Sequence, residues 1–157
     1  KINVDGAASG ALGPSGCGGV FRTCRRFVKG CFYHFHGNGL EIEAELWAMI
    51  KAIRYASFHG WMVLWLESDS TLAVDILLNR LRNVPWRMLS DWDDCLKHVD
   101  QFYLVVTHVY KEANWVADSL SKCAIEEVSS FLSFVTPTFY CDLVAADACG
   151  DVYTRLC

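Results

Sequence analysis

The sequence predicts an α/β fold, a mixed five-stranded sheet with helices packed on it, and two observations carry that prediction. Three strand-like segments lie before residue 38, and from Glu41 the apolar residues recur at helical spacing. Beyond that helix, the continuous apolar runs WMVLWLES (61–68) and FYLVVTHV (102–109) alternate with helical patterns, as in β-α-β units. The predicted order is β-β-β-α-β-α-α-β-α.

KINV (1–4) reads as a short strand. DGAASGALGPSG (5–16), rich in Gly, Ala and Ser, reads as a loop. CGGVFRT (17–23) and FVKGCFYHFHG (27–37) complete an antiparallel meander. EIEAELWAMIKAIRYASF has apolar residues at 42, 46, 49, 50, 53 and 56, which form one helical face, and Gly60 closes the helix. The two apolar runs predict strands buried on both faces. Between them, TLAVDILLNR and residues 85–99 predict helices, with Pro85 near the first turn of the second. Trp86, at that helix start, is assigned to the core. ANWVADSLSKCAIEE (113–127) is the last helix. The domain is expected over 1–127, with 128–157 a tail or docking segment.

The chain has 157 residues, 53% of them hydrophobic, enough for one domain with a substantial core. Its net charge of −4 argues against a strong, sequence-independent grip on nucleic acid. Eight cysteines without a C-x-x-C pair give little support to a zinc site. They fit thiols in a reducing, intracellular setting, nuclear or cytoplasmic, better than a secreted disulfide scaffold. No signal peptide or membrane span is visible. A chain that opens at Lys1 directly into a strand suggests a piece of a larger polypeptide with flanking domains, and a monomer is expected.

Four carboxylates stand where a charge is awkward. Asp5 follows the first strand, Asp69 follows the fourth, and Glu45 and Asp118 border apolar helix faces. Burying one lone carboxylate is costly, and four converging would repel unless a cation joined them. Mg²⁺ suits such a site, because it takes oxygen ligands and keeps several waters. If the first and fourth strands are parallel neighbours, Asp5 and Asp69 lie side by side at the carboxyl edge of the sheet, where open α/β sheets bind ligands.

The stretches NVDGAASG, EAELWAM, LESDS and HVYKEANWVADSLSK, in this order on this pattern of elements, resemble the ribonuclease H family. The nearest branch is the plant reverse-transcriptase-like domain of non-LTR retrotransposon polyproteins. The resemblance spans about residues 1–125. It implies an endonuclease that cuts the RNA strand of RNA–DNA hybrids with two Mg²⁺ ions, or Mn²⁺, about 3.5–4 Å apart. It further implies that Asp5 bridges both metals, Asp118 helps hold the metal that activates water, and Glu45 and Asp69 support the metal at the leaving oxygen. His108, ten residues before Asp118, takes the place of a histidine linked to product release, although a satisfied strand-end histidine is the competing reading. The glycine-rich segment, with Gly6, Ala7 and Ser9, is expected to bring backbone near the RNA strand. Lys111 could reach a phosphate, and Asn114 is expected to cap the last helix. The basic extension of many cellular members is missing. Arg82 and Arg87 in RLRNVPWR (80–87) are the remaining candidates for nucleic-acid contact, and DWDD (91–94) follows them.

Three other readings compete. One is a catalytically weak or inactive module that binds or scaffolds. Another is a 3′–5′ exonuclease, disfavoured because Ala7 stands where those enzymes place a Glu. The third is purely structural, with each acid in a turn, in a cap or on a solvated face.

Overall fold

A computed structural model describes residues 1–134 of the chain. Six strands form one mixed sheet, one more than the sequence predicts. The strands are β1 (Ile2–Ala8), β2 (Gly13–Arg22), β3 (Val28–Gly39), β4 (Val63–Ser68), β5 (Tyr103–His108) and β6 (Ser130–Ser133). Their spatial order is β5-β4-β1-β2-β3-β6. β1, β2 and β3 form the antiparallel meander, and β4 pairs in parallel with both β1 and β5. The unexpected strand β6 pairs antiparallel with Cys31–His34 of β3. SFLS is too short, and too rich in serine, to stand out as a strand in the sequence.

The helices are α1 (Glu41–Phe58), α2 (Thr71–Leu78), α3 (Leu89–Val99) and α4 (Trp115–Glu127). At the start of α1, the Glu43 carboxylate accepts from the Leu40 N–H at 2.9 Å, giving that backbone donor a partner. Gly60, at φ 66°, lies just past its end. Ser70 caps α2 by accepting from the Ala73 N–H. Pro85 precedes a 3₁₀ turn, Trp86–Met88, that leads into α3.

α1, α2 and α3 cover one face of the sheet. There Ile2, Val4, Phe21, Phe32, Leu64 and Leu66 pack against Leu46, Met49, Ile50 and Ile53 of α1 and the fully buried Trp92 of α3. The Trp92 indole N–H donates to the Leu81 carbonyl, so its one polar atom is satisfied. Among the described residues α4 is the one helix on the other face, over β1, β2 and β3. Val116, Leu120 and Ala124 there meet Val20, Cys31 and Tyr33.

Three expectations need correction. First, the glycine-rich segment is mostly not a loop. β1 continues to Ala8, β2 begins at Gly13, and the hairpin turns over residues 9–12, closed by the Ser9 N–H on the Pro14 carbonyl. Small residues have poor strand propensity, but here helices on both faces leave no room for larger ones. Second, β4 and β5 are buried on one face only. Because α4 stops short of them, Val63 is 71% exposed and Tyr103 73%. Third, Trp86 is 87% exposed rather than core.

Among the described residues no helix is long and apolar enough to cross a membrane. Cys17, Cys24, Cys31 and Cys95 carry free thiols. Most of the expected 128–157 tail lies outside the described residues; of its described part, Ser130–Ser133 belongs to the sheet.

Candidate active site

Parallel pairing of β1 with β4 ends at Val4 opposite Ser68. The next residues on the two strands are Asp5 and Asp69, so the chain itself places these carboxylates side by side. Glu45 comes from α1, one turn into the helix. It can reach Asp5 because residue 6 is glycine: a β-carbon on Gly6 would overlap the main-chain N of Glu45 and the carbonyl carbon of Ala44.

Oxygens of Asp5, Glu45 and Asp69 lie within 4.8 Å of one another. Asp5 is 2% exposed and Glu45 7%. Burial, followed by the charges of neighbouring acids, drives both away from the ordinary carboxylate range, Asp5 up to about 8 and Glu45 up to about 9. Among the described residues the Glu45 Oε2 atom, which is buried, has no hydrogen-bond partner. An orphaned carboxylate oxygen facing two more carboxylates has the donor chemistry of a hard divalent cation site. A cavity of about 280 Å³ opens there, lined by Asp5, Gly6, Glu45, Asp69 and Lys111 among others.

Asp118 stands apart from these three. It lies in the first turn of α4, and its carboxylate is bound by Lys122 at 2.5 Å and Lys111 at 3.3 Å. Burial would lower the Lys111 ammonium, but Asp118, with Asp5 and Asp69 further off, raises it above its ordinary value.

Asn114 differs from expectation. It occupies the first position before α4, but its side chain does not cap the helix. It is 1% exposed, and its amide donates to the Val4 carbonyl at 2.8 Å and to Asp69 Oδ1 at 3.0 Å. Those two bonds tie the end of the β1–β4 ladder to α4.

His108 is the last residue of β5, exposed, with Nε2 3.1 Å from the Asp69 carbonyl oxygen and its ring edge-on to Tyr110. Ala7 lies within β1, and Ser9 is exposed at the hairpin turn. The arginines do not join the acidic cluster. Arg82 pairs with Asp93. Arg87 pairs with Glu43 beside a second cavity of about 190 Å³, which Asn38 and Trp47 also line.

Sequence reasoning missed Ser121. Its side chain is fully buried, and Oγ donates to Asp5 Oδ2 at 2.5 Å. The available signal was spacing, because Ser121 follows Asp118 by three residues and shares its side of the helix.

A family model described as reverse transcriptase-like matches residues 3–124. The chain belongs to that family. The structural neighbours show that the fold is that of ribonuclease H. The ribonuclease H1 of Halobacterium salinarum superposes with a TM-score of 0.72 at 24% identity, over 80% of this chain and 96% of that one. LC11-RNase H1, solved in complex with an RNA/DNA hybrid, gives 0.72 at 23% identity, over 81% and 96%. In sequence, the chain is 31% identical over 158 residues to an Arabidopsis thaliana protein named "Putative ribonuclease H protein". That match takes in 99% of this chain and spans about a quarter, 25%, of the plant protein.

Proposed function

We propose that this reverse transcriptase-like domain is a ribonuclease H, a divalent-metal-dependent endonuclease that cuts the RNA strand of RNA–DNA hybrids and leaves a 5′ phosphate and a 3′ hydroxyl. One observation carries the reading: Asp5, Glu45 and Asp69 converge with a buried, partnerless Glu45 oxygen, at the sheet edge predicted for them. The likeness to LC11-RNase H1, which was solved with such a hybrid, supports the choice of substrate.

Asp5, Glu45 and Asp69 would hold one Mg²⁺ or Mn²⁺, and Asp118 with Asp5 would hold the second. Such cations lower the pKa of a bound water and stabilise the attacking and leaving oxygens of an in-line displacement. Asp5, which meets Glu45 and Asp69 on one side and Ser121 of α4 on the other, would contribute an oxygen to each. Asn114 holds Asp69 against the end of β1 and so fixes the spacing of the first pair. Lys111, which lines the cavity and binds Asp118, is placed to meet a backbone phosphate. His108 is exposed at the rim, where an imidazole can exchange protons with solvent near a departing product. With Arg82 and Arg87 engaged by acids and a net charge of −4, affinity for the hybrid is weak in the isolated domain. Flanking parts of a larger polypeptide supply the rest.

The test is cleavage of an end-labelled RNA–DNA hybrid at low salt, with Mg²⁺ or Mn²⁺, beside Asp69→Asn. Metal-dependent cuts in the RNA strand, absent from the variant, are expected. No cleavage by folded protein at high concentration would favour a second reading, a binding or scaffolding module, which the acidic net charge supports.

A further inference from the structure

We infer that Ser121 is a positioning residue for Asp5: its hydroxyl fixes the rotation of that carboxylate, so that the other oxygen is presented to the divalent cation. The inference rests on the metal-dependent reading above and assigns a role to a residue outside the set of four acids.

The buried face of α4 carries Val116, Ala117, Leu120 and Ala124, and Ser121 is the polar exception among them. A fully buried hydroxyl is costly unless it is bonded. Helical serines ordinarily satisfy that need on a carbonyl of their own helix. Ser119 does so, donating to the Trp115 carbonyl at 2.8 Å. Ser121 has two acceptors for one hydrogen, the Asp118 carbonyl at 2.8 Å and Asp5 Oδ2 at 2.5 Å. The carboxylate is the stronger acceptor and the closer.

The approach of α4 to the sheet makes this contact rigid. A β-carbon on Gly18, the strand partner of Asp5, would come within 2.5 Å of the Leu120 β-carbon and 2.6 Å of the Ser121 N. The helix therefore rests directly on β2, and Ser121 cannot retreat from Asp5. On its other side Asp5 faces the carboxylates of Glu45 and Asp69, which repel it. A carboxylate with two rotatable bonds between such neighbours needs a fixed donor to keep one orientation, and Ser121 is that donor.

Mn²⁺ binding by calorimetry, with the chain as described and its Ser121→Ala, Ser121→Cys and Ser119→Ala variants, tests the inference. Removal of an outer partner of a metal ligand weakens the metal by about 10-fold or more. That loss is expected for Ser121→Ala and for Ser121→Cys, whose thiol is a poor donor. Ser119→Ala binds as the unsubstituted chain does. In hybrid cleavage, kcat falls with the affinity for Mn²⁺, while KM for the hybrid holds. Unchanged Mn²⁺ affinity in a folded Ser121→Ala protein overturns the inference and leaves the nuclease reading standing. Loss of fold in both the Ala and the Cys variants also overturns it, because Ser121 would then be structural. If the unsubstituted chain binds no Mn²⁺, the metal-dependent reading fails first and this inference falls with it.

Discussion

The two halves of the acidic site solve the same electrostatic problem differently. Asp5 and Glu45 are buried, face each other and Asp69, and rise far above the ordinary carboxylate range. Asp118, on the rim, is bound by Lys111 and Lys122. Among the described residues no lysine or arginine forms an ion pair with Asp5 or Glu45, whereas Asp118 pairs with two lysines. The buried half is therefore unfavourable on its own, in the way a ligand site is and a structural ion pair is not. The rim half has its charge balanced by lysines already in place.

The sharpest break of this contrast is Asp69→Asn. It removes a charge from the buried half, and RNA cleavage is expected to fall about 10³-fold, measured as single-turnover cutting of a labelled hybrid. The protein stays folded, because one source of repulsion has gone.

Gly6→Ala comes next. Its added methyl must push α1 away from β1, and the loss of stability is expected at about 3 kcal/mol, read from denaturant unfolding. Because the displaced turn carries Glu45, Mn²⁺ affinity falls even where the protein remains folded.

A third test sharpens the contrast through pH. The folded-state values of Asp5 and Glu45, about 8 and about 9, lie above their ordinary values of 3.8 and 4.5. Their contribution to stability is therefore fully present below about pH 4 and is lost as pH rises through 8 to 9. In EDTA the melting temperature is expected to drop over that range, and Mg²⁺ is expected to restore it. The gap between the two conditions widens with pH, and Asp5→Asn narrows it.

The smallest effect belongs to the rim. The Lys122 ammonium is exposed, and an i,i+4 pair of this kind contributes about 0.3–0.5 kcal/mol. Lys122→Ala is expected to change thermal stability by no more than that. It also slightly lowers the Mg²⁺ concentration needed for cleavage, since Asp118 has one competitor fewer.

Much of this site was legible in the sequence, because strand ends and helix faces announce themselves through apolar periodicity. Asp5 and Asp69 could be paired once WMVLWLES was read as a strand parallel to KINV, and Glu45 and Asp118 stood out as charges bordering apolar helix faces. What was not legible depends on contacts between distant segments. The run DGAASGALGPSG looks like a loop because small residues say nothing of the helices resting on them. Ser121 looks like a solvated serine until α4 is laid on Gly18. Asn114 looks like a cap because its bonds to Val4 and Asp69 cross 110 and 45 residues of chain. The outer faces of β4 and β5 were read as buried because an apolar run does not reveal how far a covering helix extends.

β6 carries a practical consequence. The family match ends at residue 124, and the last recognisable motif ends at Lys122, yet the sheet is completed only by Ser130–Ser133. β3 runs for 12 residues, and β6 occupies its outer side from Cys31 to His34. A protein truncated at the motif boundary would bare those backbone groups beside Tyr33 and Phe32, an open template for strand-to-strand self-association. Poor solubility of such a truncation would then report a cut made inside the sheet, and no defect in the four acidic motifs.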